Sequence, residues 1–218
     1  MKTRATNTEP DAAARRVPTQ VRAKKRVERM IDAAAHVFAE EGYGAATMEG
    51  IAARAETSIG SIYQFFPNKL SLFNALAEHY HGKLRVFFDL LLSGPLLEQP
   101  WEVILDSGID AFMEFHQNEP GFRAVWAGLH LTEQVVTEGE AINRDFAKRL
   151  ETILAAKLPG VAARQRPVIA TMMVEVLTWM LVVCVRRPAE AKALMTETKA
   201  MLGRYLAPYE RSAVRSSR

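Results

Sequence analysis

The chain has 218 residues, of which 49% are hydrophobic and 24% charged, enough for one large domain or two small ones with a proper core. Its net charge of +3 is unevenly spread: residues 1–30 hold nine basic residues against Glu9, Asp11 and Glu28, a net +6, so the rest sums to −3. A single cysteine, Cys184, excludes an internal disulfide framework and a Cys-rich zinc site, and no uninterrupted run of about 18 apolar residues and no apolar leader is seen, so a reducing, cytoplasmic setting without a membrane span is expected.

Residues 1–19, polar and charged with Pro10 and Pro18, read as a disordered basic tail. Helical periodicity then begins. Val27, Met30, Ile31, Ala34, Val37 and Phe38 predict a helix over 20–41, ended by Gly42 and Gly44. Thr47 is placed to cap a short helix over 48–54. After a polar break at Glu56–Thr57, a third helix spans 58–64 and stops at Pro67. Asn68 caps a long fourth helix that runs through Leu70, Phe73, Leu76, Tyr80, Leu84, Phe87 and Leu91. Ser93, Gly94, Pro95 and Pro100 mark a loop. Five more helices are expected at 101–118, 121–133, 138–157, 163–186 and 188–207, the last with Pro188 in its first turn. No strand-like alternation appears, so the fold class is all-α.

The two short helices between Thr47 and Phe66 need bracing from their longer neighbours. So braced, they form a helix-turn-helix, whose second helix can enter the DNA major groove. Ser58, Gly60, Ser61 and Gln64 are small or neutral polar, which lets backbone approach a duplex. Ile62 and Phe66, four apart, face inward, while Tyr63, Gln64 and Phe65 project outward. Lys69, at the start of the fourth helix, reads as a phosphate clamp.

The run Ala33 to Tyr43, then Thr47-Met48-Glu49-Gly50-Ile51-Ala52, then Ser58-Ile59-Gly60-Ser61-Ile62-Tyr63-Gln64-Phe65-Phe66-Pro67-Asn68-Lys69 resembles the TetR/AcrR family of transcriptional repressors over residues 22–80. The resemblance implies a helix-turn-helix domain over 20–67 and a helical effector-binding and dimerisation domain over 68–218. It implies phosphate contacts for Thr47, Tyr63 and Lys69, and base-edge or backbone contacts for Ser58, Gly60, Ser61 and Gln64; Ile59 and Phe65 are further candidates for the DNA-binding surface. Lys24, Lys25 and Arg26 resemble family extensions that reach neighbouring phosphates or the minor groove. One departure concerns the turn. Many members have Gly-Val where this chain has Glu56-Thr57, and glutamate is strained at positive φ. Residues 31–80 also carry Arg54 and Lys69 against six acids, so the module itself is not basic.

Beyond residue 81 no comparable motif occurs. Phe112, Phe115, Phe122, Trp126, Met172 and Trp179, with His116, His130 and Glu175 as polar handles, suit a lipophilic pocket. The same aromatics and methionines also fit an ordinary core. An acid in the apolar helix that carries Glu175 needs a partner, either a ligand or a protein cation such as an arginine across the interface. The apolar stripe of 163–186 exceeds one face, so Ile169, Met173, Val176, Leu177 and Met180, with Leu194, Met201, Leu202 and Tyr205 of 188–207, are candidates for a two-fold dimer interface. Two-fold symmetry predicts a palindromic operator of double-stranded DNA, with recognition helices about 34–36 Å apart or farther along the groove. No cofactor is expected, the histidines lack metal-ligand spacing, and no catalytic motif appears. An enzyme with a helical active site and a lipid-surface module are the other classes that the sequence leaves to be separated by turnover and by liposome binding. The reading that fits best is a homodimeric repressor released by a small lipophilic effector.

Overall fold

The computed structural model describes residues 12–127 and 133–216; His130 and residues 1–11 lie outside it. The described residues form nine α-helices: α1 (Ala12–Ala45), α2 (Met48–Arg54), α3 (Ile59–Phe65), α4 (Lys69–Leu91), α5 (Trp101–Asn118), α6 (Pro120–Ala127), α7 (Glu133–Lys157), α8 (Arg166–Arg186) and α9 (Ala191–Ser216). A short 3₁₀ segment, Pro95–Glu98, joins α4 to α5. No strand occurs among the described residues. The all-α expectation therefore holds.

Several helix boundaries move. α1 begins at Ala12, so residues 12–19, read from sequence as tail, continue the helix. α7 begins at Glu133 rather than at 138, and α9 runs on through Pro208 to Ser216. Pro188 lies in the turn before α9, whose helix starts three residues later. At the other end of the chain, Gly42 breaks α1 at φ 80°, a conformation that favours glycine.

The short helices are fixed by their caps. The Thr47 hydroxyl oxygen accepts from the Gly50 amide at 3.0 Å, and that of Ser58 from the Ser61 amide at 3.2 Å. Asn68 and Ser71 form a reciprocal capping box at the start of α4. α2 closes with the Thr57 amide donating to Ala52 O and the Glu56 amide to Ala53 O. This is a Schellman closure, in which the left-handed position usually belongs to glycine. Here Glu56 occupies it at φ 51°, the strain that the departure at this turn predicts. Left-handed backbone costs a non-glycine residue about 1 kcal/mol.

A single apolar cluster joins the helix-turn-helix to the body. It runs from Met30, Ala34 and Phe38 through Ile51, Ile62 and Leu72 to Tyr80, Phe122 and Val125. α6 lies against both α1 and α4. Gly121 permits that approach, since a Cβ there would stand 3.3 Å from Leu76 Cδ1 and 3.7 Å from Ala35 Cβ. A second cluster, around Trp101, Leu154, Leu158, Ile169, Met173 and Leu202, fills the far end of the body. α8 is long and apolar enough to cross a membrane by length and composition, although no uninterrupted apolar run marks it in the sequence. Half of its most apolar window is buried inside the protein, where it packs on α7 and α9. That burial accounts for its composition as a core helix.

Candidate nucleic-acid interface and effector cavity

The outer surface of α3 is built by anchoring its inner one. Ile62 is fully buried and Phe66 nearly so, as their spacing requires. The remaining positions face outward: Ser58, Ile59, Gly60, Tyr63, Gln64 and Phe65 are exposed, and Ser61 is half-buried. Exposed Ile59, Tyr63 and Phe65 on one short helix are unusual for a surface without a partner. A Cβ added at Gly60 meets nothing within 4 Å, so the fold itself makes no demand for glycine there. Thr47 is exposed, and the cap uses only an acceptor lone pair, which leaves its hydroxyl proton to donate outward.

Lys69 makes contacts that its sequence position does not announce. Its ammonium donates to the carbonyls of Tyr43 (2.6 Å), Ala46 (2.8 Å) and Gly44 (3.2 Å), and lies 4.6 Å from the centre of the Tyr43 ring. An ammonium has three donors, and all three are directed at the end of α1. The side chain thus clamps helix carbonyls; sequence spacing places the residue but not this target, 23–26 positions away.

Lys24, Lys25 and Arg26 are exposed on the first half of α1. Lys25 and Arg26 line a surface cleft with Arg22, Arg29 and His79 of α4, while Glu28 and Asp32 interrupt its charge. Among the module's acids, Glu40 is engaged by Arg54 at 2.6 Å.

In the body, a narrow cavity of about 90 Å³ lies among α4, α5, α7 and α8. Phe88, Leu91 and Leu92 supply the α4 wall; Trp101, Leu105 and Phe112 supply that of α5. Phe146 and Leu150 come from α7, with Phe88 and Phe146 stacked at 3.9 Å.

The comparisons with known proteins fall on both halves of the chain. Residues 30–76 match the family described as bacterial regulatory proteins, tetR family, and residues 100–206 match the tetracyclin repressor-like C-terminal domain. An uncharacterized HTH-type transcriptional regulator, TtgW of Pseudomonas putida, is 32% identical over 93 residues, which are 43% of this chain and 67% of that one. The chain belongs to the TetR family. Among solved structures, a TetR-family regulator from Streptomyces coelicolor is 25% identical, with a TM-score of 0.56 over 84% of this chain and 99% of that one. The fold also matches a SmeT–triclosan complex at 22% identity and a TM-score of 0.62, covering 83% of this chain and 91% of the other. TetR-family proteins are DNA-binding transcription regulators, and the chain is one of them.

Within this TetR-family chain the sequence-derived pocket is only partly assembled. Phe112 lines the cavity. Phe115, His116, Phe122 and Trp126 are not in the lining but form an adjoining aromatic cluster with Tyr80 and Phe87, which meets the wall where Phe112 lies 4.2 Å from His116 and in which His116 and Phe122 stack at 3.4 Å. Met172 is half-buried outside the cavity wall. Glu175 accepts from the Asn143 amide at 3.4 Å, a neutral group of the same chain rather than the ligand or cation expected, and Asn143 rather than Glu175 reaches the cavity. Trp179 is 58% exposed and cannot line an interior site. His130 lies outside the described residues. Missed from sequence were Phe88, Trp101 and Phe146. One signal was available: Leu96 and Leu97, in a segment read as loop, had no reason to face solvent.

The dimer candidates divide as well. Ile169, Met173 and Leu202 are buried in the protein's own core, and Met173 and Leu177 line the cavity. Val176, Met180 and Leu194 are half-buried. Met201 and Tyr205 are exposed, as an unpaired interface requires, and are joined in exposure by Val168 and Trp179 of α8. Cys184 is buried, and burial raises its thiol pKa, which suits a small apolar role.

His116 is the buried titratable group of the aromatic cluster. Its Nδ1 meets the Tyr80 hydroxyl at 3.1 Å, while its Nε2 has no partner. Burial pushes its pKa down to about 2, so it folds as the neutral ring. The unfolded chain, with an ordinary pKa of about 6.5, then binds the extra proton. Stability from this group is complete above about pH 6.5 and falls as pH drops toward the folded value, by at most about 1.4 kcal/mol per pH unit. Urea denaturation between pH 7 and pH 4.5 is expected to show a markedly flatter loss of stability in His116→Phe than in the wild type. Parallel curves would refute a neutral buried His116.

Proposed function

We propose that this TetR-family regulator is a homodimeric repressor that binds a palindromic operator and is released by a small lipophilic effector. One observation carries the ligand response. The same helix, α4, begins at Lys69, which holds the end of α1, and ends at Phe88, Leu91 and Leu92 in the cavity wall. An effector that displaces those side chains tilts α4 and, with it, the module that presents α3. α6, packed on both α1 and α4, offers a second route for the same shift. By linkage, DNA and effector then weaken each other's binding by the same factor. The SmeT neighbour, solved with triclosan, supports a lipophilic ligand for this fold. The exposed Trp179, Val168, Met201 and Tyr205 on α8 and α9 supply the self-complementary face of a two-fold dimer. α8 serves this reading as an interior and interface helix, without a membrane.

Selection of bound duplexes from a random pool is the test. An inverted repeat is expected, and Tyr63→Ala should lower affinity for it by about tenfold, on the scale of one base or phosphate interaction, without lowering the melting temperature. A pool that yields no preferred sequence, or an unchanged affinity in Tyr63→Ala, would remove α3 as the reading helix.

A further inference from the structure

The cavity wall is almost wholly apolar, which makes its few polar groups informative. Of the lining side chains, only Trp101, Asn143, Lys157 and Thr178 carry hydrogen-bonding atoms. Asn143 is already engaged with Glu175. Trp101 is not engaged: its indole N–H is buried and has no partner among the described residues. Buried polar groups are nearly always paired, so an unpaired donor in a cavity wall marks the place of an acceptor from outside the chain. Lys157, the last residue of α7, is half-buried and makes no ion pair among the described residues.

Both groups belong to the wall of the same cavity. α4 ends at Leu91, α5 begins at Trp101 and α7 ends at Lys157. All three helix ends contribute to the cavity wall, as do Leu96 and Leu97. From Trp101 the lining extends along α5 to Phe112, about 16 Å of helix at 1.5 Å per residue. The site is thus a mostly apolar cavity whose wall includes a lysine and an unpaired neutral donor. Its volume of about 90 Å³ is below that of a formed pocket for a rigid drug-sized ligand. A flexible chain can thread by moving leucine side chains aside one at a time, whereas a rigid ring system must move them together.

We propose that the effector is a single-headed anionic amphiphile, a long-chain carboxylate. Its head is held by the Lys157 ammonium and the Trp101 indole N–H, and its chain runs toward Phe112. Lys157 brings its stem along the apolar wall and its charge to the head, as lysines at apolar edges do. This rests on the reading of the cavity as the effector site.

The test uses full-length protein and calorimetric titration with dodecanoate, 1-dodecanol and dodecylamine, each below its micellar concentration, with operator release measured in parallel. Dodecanoate is expected to bind at least tenfold more tightly than the alcohol, with the amine weakest. Lys157→Gln should erase the preference by weakening dodecanoate far more than the alcohol, and Lys157→Arg should retain it. Trp101→Phe should weaken dodecanoate severalfold. If Lys157 only complements the α7 carbonyls, the acid and the alcohol will bind alike in both proteins, which overturns the head-group assignment but leaves the cavity as an effector site. If none of the three binds and none releases operator, the effector-site reading fails with it.

Discussion

Replacing Lys69 by methionine is expected to lower stability by about 2–3 kcal/mol while leaving the salt slope of operator binding unchanged. The methionine keeps most of the stem's volume and removes the charge. Three carbonyls at the end of α1, those of Tyr43, Gly44 and Ala46, then lose their common donor. Hydrogen bonds to a charged group contribute about 1.5–3 kcal/mol, and unpaired carbonyls in a partly buried site add their own cost. For a chain of this length that loss lowers the melting temperature by several degrees. Arginine should rescue little, because a planar guanidinium cannot converge on three carbonyls as an ammonium does. Operator affinity falls too, since the end of α1 positions the module. The slope of log K against log salt separates the two roles. Removing one cation from a DNA phosphate reduces that slope by about 0.9 in magnitude. Unchanged melting with a reduced slope would reinstate Lys69 as a phosphate ligand.

The second large effect concerns assembly. Trp179→Glu combined with Met201→Glu is expected to convert the proposed dimer to monomer at micromolar concentration, read by sedimentation equilibrium. Operator affinity should drop by at least about a hundredfold, because two half-sites no longer bind as one unit. Both side chains are exposed within one chain, at 58% and 49%, so the monomer should keep its helical content. Interface centres are rich in tryptophan and methionine and poor in charge, so two buried glutamates per chain are strongly disruptive. A double variant that sediments as a dimer would place the interface elsewhere.

These two cases also mark how far the sequence could be read. The helix-turn-helix was legible because its determinants are local. Thr47, Ser58 and Asn68 cap bonds three residues away, and Ile62 and Phe66 declare their inward face by spacing alone. The strain at Glu56 was visible for the same reason, since a left-handed turn residue is set by its immediate neighbours. In the C-terminal half, periodicity could find the helices but not assign their faces. α8 is apolar nearly all round, so Met173 and Leu177 in the cavity, Ile169 in the core and Trp179 in the open look alike in the sequence. His116 and Phe122 belonged to a cluster, but one beside the cavity rather than in it.

By itself, then, the sequence determined an all-α chain with a basic arm, a small outward-facing α3 and a family resemblance that rests on residues 22–80. Tertiary structure decided where long-range donors and apolar faces are used. Lys69 reaches back more than twenty residues to the end of α1, and Trp101 and Lys157, over fifty residues apart, come to the wall of one cavity. The physical reason is the range of the interactions. Caps and helical spacing act within a turn or two, whereas a buried donor or an apolar face acquires its meaning only from whichever distant segment packs against it.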